Sequence, residues 1–227
     1  MSLKILLITS TDREADALRK TKGIIMTNDN YRFGSLDIEL LIGGVGIMST
    51  AWTLSKWLFV NEKPDLAMNF GIAGSYLDQF PVGCVVMPVS DCFADAGIED
   101  GDNYFTLFEA GLSQKDEFPF TDGVIRSPNS YCEKLQDLLN PVNALTVNTS
   151  TGSERTKQRL SEKFNPAIET MEGAAFFYIC AKENIPFVAL RSVSNMVERR
   201  AREKWNIPLA IENMAVTLEA VFKKLDK

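Results

Sequence analysis

Four polar residues stand where chemistry at a sheet edge would need them: Glu14, Glu172, Arg191 and Asn195. Glu172 belongs to a Met-Glu-Gly-Ala-Ala run that opens a helix, in which Ala174, Phe177, Tyr178 and Ala181 recur at i, i+3, i+4 and i+7. Pro186 ends this helix at Asn184, because the residue before a proline disfavours helical backbone. The apolar, β-branched run 187–194 then predicts a strand, with Arg191 late in it and Asn195 just after it. In an α/β sheet, ligands collect where strands end and helices begin. One carboxylate, one guanidinium and one amide at such an edge make a candidate site. Each also has an ordinary structural use: Glu172 as a complement to the helix dipole, Arg191 as a partner for a carboxylate, Asn195 as a turn cap. Spacing alone leaves both readings open.

Glu14 extends the set. Residues 3–9 read as a buried first strand, and Ser10 or Thr11 caps a helix with acidic residues in its first turn. Glu14 is either one more dipole-complementing acid or a carboxylate at the carboxyl edge of that strand, pointing into the site. The chain has no histidine. That excludes a Ser-His-Asp or Cys-His triad, a His-ligated zinc and histidine acid–base catalysis. Proton transfer must use carboxylates, Lys, Tyr, Cys or water.

The elements that position these residues follow the same logic. Residues 35–42 predict a strand leading through Gly43, Gly44 and Gly46 into a helix, with Met48, Ala51, Trp52, Ser55, Leu58 and Phe59 on its buried side. The spacing Gly44, Gly46, Ser49 approaches a dinucleotide fingerprint but lacks its third glycine and does not follow the first strand. Residues 65–70 form a short strand running into Asn69-Phe-Gly-Ile-Ala-Gly74, whose glycines allow close backbone approach to a ligand. Residues 94–117 read as an irregular acidic and aromatic loop, and 128–139 as a helix with proline in its first turn. Residues 144–148 predict a strand, 153–164 a helix, and Pro208 starts a final helix with Ala210, Met214, Leu218, Val221 and Leu225 along one stripe.

At 227 residues, 45% hydrophobic and 24% charged, the chain fits a single domain, residues 1–227. A net charge of −6 gives no basic surface for nucleic acid. No apolar run approaches the ~18 residues of a membrane span, and the N-terminus turns polar too soon for a signal peptide. Cys84, Cys92, Cys132 and Cys180 form no CxxC pair and read as buried thiols of a cytoplasmic protein.

The wording of the motifs, MEGAA followed by RSVSN and preceded by N-x-G-x-A-G, resembles the nucleoside phosphorylase and nucleosidase superfamily. The resemblance implies an α/β fold of three layers, α/β/α, with a central mixed sheet. It further implies a homodimer or larger assembly, a purine nucleoside as substrate, and neither metal nor cofactor. It assigns Met171, Glu172 and Arg191 to the ribose, Gly71, Ala73 and Gly74 to the pocket lining, and Asn195 to the purine. Glu14 falls where nucleosidases of the superfamily carry the glutamate that activates water. Phosphorylases hold phosphate there with Gly and Arg; this turn has no glycine, and its Arg13 is flanked by acids, which favours water as nucleophile.

Between residues 143 and 211, TVNTSTGSERT, ETMEGAA, RSVSN and W-x-I-P-L-A-I together resemble the futalosine hydrolase branch. That branch releases hypoxanthine from futalosine in an alternative menaquinone pathway. Futalosine carries a benzoate, which gives Arg199 or Arg200 a carboxylate to pair with. Asparagine at 195, where adenine-specific relatives carry aspartate, offers two N–H donors to N7 and O6 of a 6-oxopurine, although it can also pair with adenine. A methylthioadenosine or S-adenosylhomocysteine nucleosidase, a phosphorylase and a non-catalytic nucleoside-binding protein are the competing readings.

Overall fold

The structure, a computed structural model, describes residues 2–27, 30–127, 129–199 and 201–226. In chain order the elements are β1 (Lys4–Thr9), α1 (Asp12–Arg19), β2 (Ile25–Met26), β3 (Tyr31–Phe33), β4 (Leu36–Ile42), α2 (Ile47–Val60), β5 (Leu66–Ser75) and β6 (Val85–Asp91). They continue with β7 (Gly97–Asp100), β8 (Asn103–Thr106), β9 (Phe120–Thr121), β10 (Val124–Arg126), α3 (Ser130–Leu135), β11 (Asn140–Thr146) and α4 (Glu154–Phe164). The last are β12 (Ile168–Thr170), α5 (Gly173–Lys182), β13 (Phe187–Met196), a 3-10 turn (Arg202–Lys204) and α6 (Ile207–Leu225).

A mixed sheet forms the middle layer. β4, β1, β5 and β13 run parallel, β12 is antiparallel to β5, and β13 also pairs antiparallel with β6. Because β11 pairs with both β12 and β6, the strands β5, β12, β11, β6 and β13 close on one another. β1 shows how the layers are specified. Its Ile5 and Leu7 face a core built with α1, α3 and α6, while Leu6 and Ile8 face a second core built with α2 and α5. Side chains alternate along a strand, so a strand covered on both faces reads as a continuous apolar run. This is the three-layer α/β/α architecture with a central mixed sheet.

The stripes read from periodicity lie where helical spacing places them: Ala174 and Phe177 on α5, and Ala210, Met214, Leu218, Val221 and Leu225 on α6, are all buried. The helix α2 departs from expectation. Its buried residues are Thr50 and Leu54, whereas Met48, Trp52 and Phe59 are 84%, 69% and 91% exposed. Apolar residues lie all round this helix, so hydrophobicity alone did not reveal which face meets the sheet. Residues 94–117 are not wholly irregular either: β7 and β8 pair as a hairpin, and Arg159 of α4 stacks on Tyr104 at 4.9 Å. The helix expected over 128–139 is shorter, Ser130–Leu135, capped by the Asn129 side chain, with Pro128 outside the described residues. Among the described residues, no helix is long and apolar enough to cross a membrane.

Candidate active site

Glu14 enters from the first turn of α1. The Thr11 hydroxyl caps this helix by accepting from the Glu14 N–H, and it donates to Glu14 Oε2 at 2.8 Å. The Ile72 N–H, from β5, donates to Glu14 Oε1 at 3.0 Å. Both oxygens are therefore aimed, and the residue is only 8% exposed. Gly71 makes the arrangement possible, since a β-carbon there would stand 2.7 Å from Glu14 Oε1.

Glu172 is the N-cap residue of α5, but its side chain caps nothing in its own helix. It reaches instead to Gly46, whose N–H donates to Glu172 Oε1 at 2.8 Å. Gly46 is itself the N-cap of α2 at φ 90°, a backbone state that glycine adopts without steric cost. Burial raises the Glu172 carboxyl above its ordinary value, and nearby Glu14 adds to the rise; the Gly46 bond and the Arg191 charge pull the other way.

Arg191 lies beneath the cavity rather than on its wall. It is 2% exposed, and its guanidinium donates to the Asn69 and Leu190 carbonyls at 3.0 and 2.9 Å and to the Asn69 side chain. Burial lowers its pKa, opposed by the charges of Glu172, Glu14 and Asp91. Its contribution here is a buried positive charge under two carboxylates.

Asn195 is not a residue following the strand. β13 runs on to Met196 through a register shift between Val193 and Asn195, which places Asn195 beside Gly74 of β5. Its Nδ2 donates to the Met196 carbonyl at 3.0 Å and its Oδ1 accepts from the Ser194 hydroxyl at 2.8 Å. A carbonyl only accepts, so the amide orientation is determined and one N–H remains for a ligand. The sequence reading had counted two.

Glu14, Met171, Glu172, Asn195, Ala73 and Gly74 line one cavity of about 320 Å³. Gly71 and Arg191 do not line it, nor does the exposed Arg199, and Arg200 lies outside the described residues. Among the wall residues not anticipated as site residues are Arg13, Glu169 and Trp205. Glu169 is an acid between Ile168 and Thr170 in a fully buried strand of three residues. Arg13 was set aside because of its acidic neighbours, yet its helical position next to Glu14 carries it to the cavity.

Two carboxylates, an oriented amide and a buried cation around a nucleoside-sized cavity, at the carboxyl ends of parallel strands, define a ligand-processing α/β enzyme site. The chain belongs to the phosphorylase superfamily, whose family model matches residues 4–226. It is 30% identical to the futalosine hydrolase of Streptomyces coelicolor over 82% of this chain and 77% of that protein. It is 25% identical to a 5'-methylthioadenosine/S-adenosylhomocysteine nucleosidase of Buchnera aphidicola over 85% of this chain and 82% of the relative. Among solved structures, the futalosine hydrolase of Helicobacter pylori superposes with a TM-score of 0.77 at 16% identity, covering 98% of each chain. A Streptococcus pneumoniae nucleosidase of the methylthioadenosine type gives 0.78 at 18% identity, over 98% of this chain and 100% of that one. These two structures attest to the fold.

Proposed function

We propose that this purine nucleoside N-glycosyl hydrolase acts on futalosine, releasing hypoxanthine. The observation that carries the hydrolytic reading is the pair Glu14 and Glu172, two buried carboxylates on the wall of one cavity, each held by a backbone N–H. Cleaving an N-ribosidic bond builds positive charge on the ribose and negative charge on the base. Glu14 takes a proton from water as it attacks the anomeric carbon, a role that supplies about 10²–10⁴ in rate. Glu172 accepts from the ribose hydroxyls, and its charge stabilises the oxocarbenium-like transition state. Arg191 acts from below, favouring the ionised state of Glu172.

The neutral Asn195 amide supports a 6-oxopurine as leaving group, because charge delocalised onto O6 needs hydrogen bonds rather than a delivered proton. The resemblance to the futalosine hydrolase of Streptomyces coelicolor supports the same choice. For the benzoate of futalosine, Arg13 and Trp205 on the cavity wall are better placed than the exposed Arg199. The same reading makes the protein a homodimer. The exposed face of α2, with Met48, Trp52 and Phe59, supports it, because Lys56 is the only charged residue in this helix and Val45 carries the face to the cavity.

The test is base release from futalosine in phosphate-free buffer, followed by chromatography. Hypoxanthine should appear without phosphate. Release only after phosphate is added would make the enzyme a phosphorylase and remove water activation from Glu14.

A further inference from the structure

Glu169 is a buried carboxylate on the cavity wall for which the nucleophile and ribose chemistry has no use. It is 5% exposed; Oε1 accepts from the Thr151 N–H at 2.8 Å and Oε2 from the Tyr76 hydroxyl at 2.9 Å. Among the described residues it pairs with no Lys or Arg. An ionised carboxylate has about four acceptor positions, so two remain on a side chain that borders the cavity.

Its place in the sheet gives it a direction. β12 pairs with β5 at Glu169 and Gly74, and β5 pairs with β13 at Gly74 and Asn195. The three residues form one row across neighbouring strands, and all three line the cavity. Residues opposite one another in paired strands project from the same face. With strands about 4.8 Å apart, the Glu169 and Asn195 backbones stand about 10 Å from each other. The residue between them has no side chain, and that lets Asn195 and Val197 pack over it: a β-carbon at Gly74 would meet Asn195 Nδ2 at 3.2 Å and Val197 Cγ2 at 2.9 Å. A planar base held in the cavity that this row borders meets the Asn195 amide along one edge and the Glu169 carboxylate along another.

The two groups read different information. The one N–H left on Asn195 suits N7, which is an acceptor in 6-oxo and 6-amino purines alike. The amide therefore cannot tell them apart. N1 differs: it carries a hydrogen in a 6-oxopurine and a lone pair in a 6-aminopurine. A carboxylate only accepts, so it pairs with the first and repels the second.

We infer that Glu169 is the specificity-determining residue of this site, accepting the N1–H of a 6-oxopurine and excluding 6-aminopurines. The inference rests on the nucleosidase reading for the identity of the ligand, but its test does not require turnover.

Calorimetric binding of free hypoxanthine and free adenine to the wild-type protein and to Glu169→Gln decides it. The wild type should hold hypoxanthine at least 10-fold more tightly than adenine. The variant keeps an acceptor for the Thr151 N–H, should lose about 10- to 100-fold for hypoxanthine, and should gain for adenine through its new N–H donor. Equal wild-type affinities, or equal losses for both bases in the variant, would overturn the inference and leave Glu169 as a clamp for the 149–152 loop. Should the variant not fold, wild-type binding of 1-methylhypoxanthine settles the matter: loss of at least 10-fold relative to hypoxanthine supports the N1–H contact, and equal binding overturns it. If the wild type binds hypoxanthine selectively yet cleaves no nucleoside, the hydrolase reading fails and the Glu169 assignment stands.

Discussion

Gly46 donates its backbone N–H to Glu172 Oε1 at 2.8 Å, joining the start of α2 to the start of α5. The carboxylate proposed to hold the ribose is thereby oriented by a helix distant in sequence. In Glu172→Gln the amide oxygen can still accept from Gly46. Thermal unfolding should therefore change by only a few degrees, while kcat falls at least 10²-fold with loss of the negative charge. A matching collapse of stability would assign Glu172 to the fold instead. Because burial raises the Glu172 carboxyl, the acid limb of the wild-type pH–rate profile should be shifted upward from that of an ordinary glutamate, activity falling as pH falls through it.

Gly71 and Glu14 form a second pair whose geometry can be tested. A methyl group at position 71 would stand 2.7 Å from Glu14 Oε1 and must displace it from the Ile72 N–H. Gly71→Ala should cost about 1–3 kcal/mol of stability. Its kcat should drop about as far as in Glu14→Gln, with hypoxanthine affinity retained in both variants. Unchanged kcat in the alanine variant would show that the Glu14 position is not critical.

Asp91 stores a pH dependence of stability. It is 1% exposed, accepts from the Cys92 N–H and the Thr146 hydroxyl through Oδ1, and has no hydrogen-bond partner at Oδ2 among the described residues. Burial pushes its pKa up from 3.8 to about 7, with Glu172 adding to the rise and Thr146 and Arg191 opposing it. The folded protein holds this proton up to near neutrality, whereas the unfolded chain releases it in the ordinary acid range. The stabilisation is thus complete at low pH and lost as pH rises through the folded value. Relative to wild type, Asp91→Asn should become more favourable by a few kcal/mol between pH 4 and 8, beyond any constant offset. Parallel denaturation curves across that range would contradict this.

The exposed face of α2 gives a prediction about assembly. Trp52, 69% exposed, and Met48, 84% exposed, should be covered in solution by a second copy of the chain. Sedimentation should give a dimer for the wild type and a shift toward monomer for Trp52→Glu. A wild-type monomer at micromolar concentration would remove the dimer proposal.

Where local physics decides, the sequence was readable. The α6 stripe and the cap of α1, which falls on Thr11 of the two candidates Ser10 and Thr11, depend only on near neighbours in the chain. The readings that failed depend on distant partners. Asn195 entered the strand through an irregular pairing with Gly74, which no periodicity announces. The face of α2 was misassigned because apolar residues surround the helix, so that only its packing identifies the buried side. Glu169 was overlooked because β12 has three residues, too few for an alternation to be seen, and its significance comes from pairing with Gly74. Candidate residues could be found one at a time in the sequence; the row they form belongs to the sheet.

The most direct measurement is kcat/KM for base release from futalosine and from methylthioadenosine by the same wild-type protein in phosphate-free buffer. Hypoxanthine release from futalosine should exceed adenine release from methylthioadenosine by at least 10²-fold, well within the roughly 10⁴–10⁵ that a site built for a particular hydrogen-bonding edge can reach. Equal or faster adenine release would contradict the 6-oxopurine reading and make the enzyme a nucleosidase of the methylthioadenosine type.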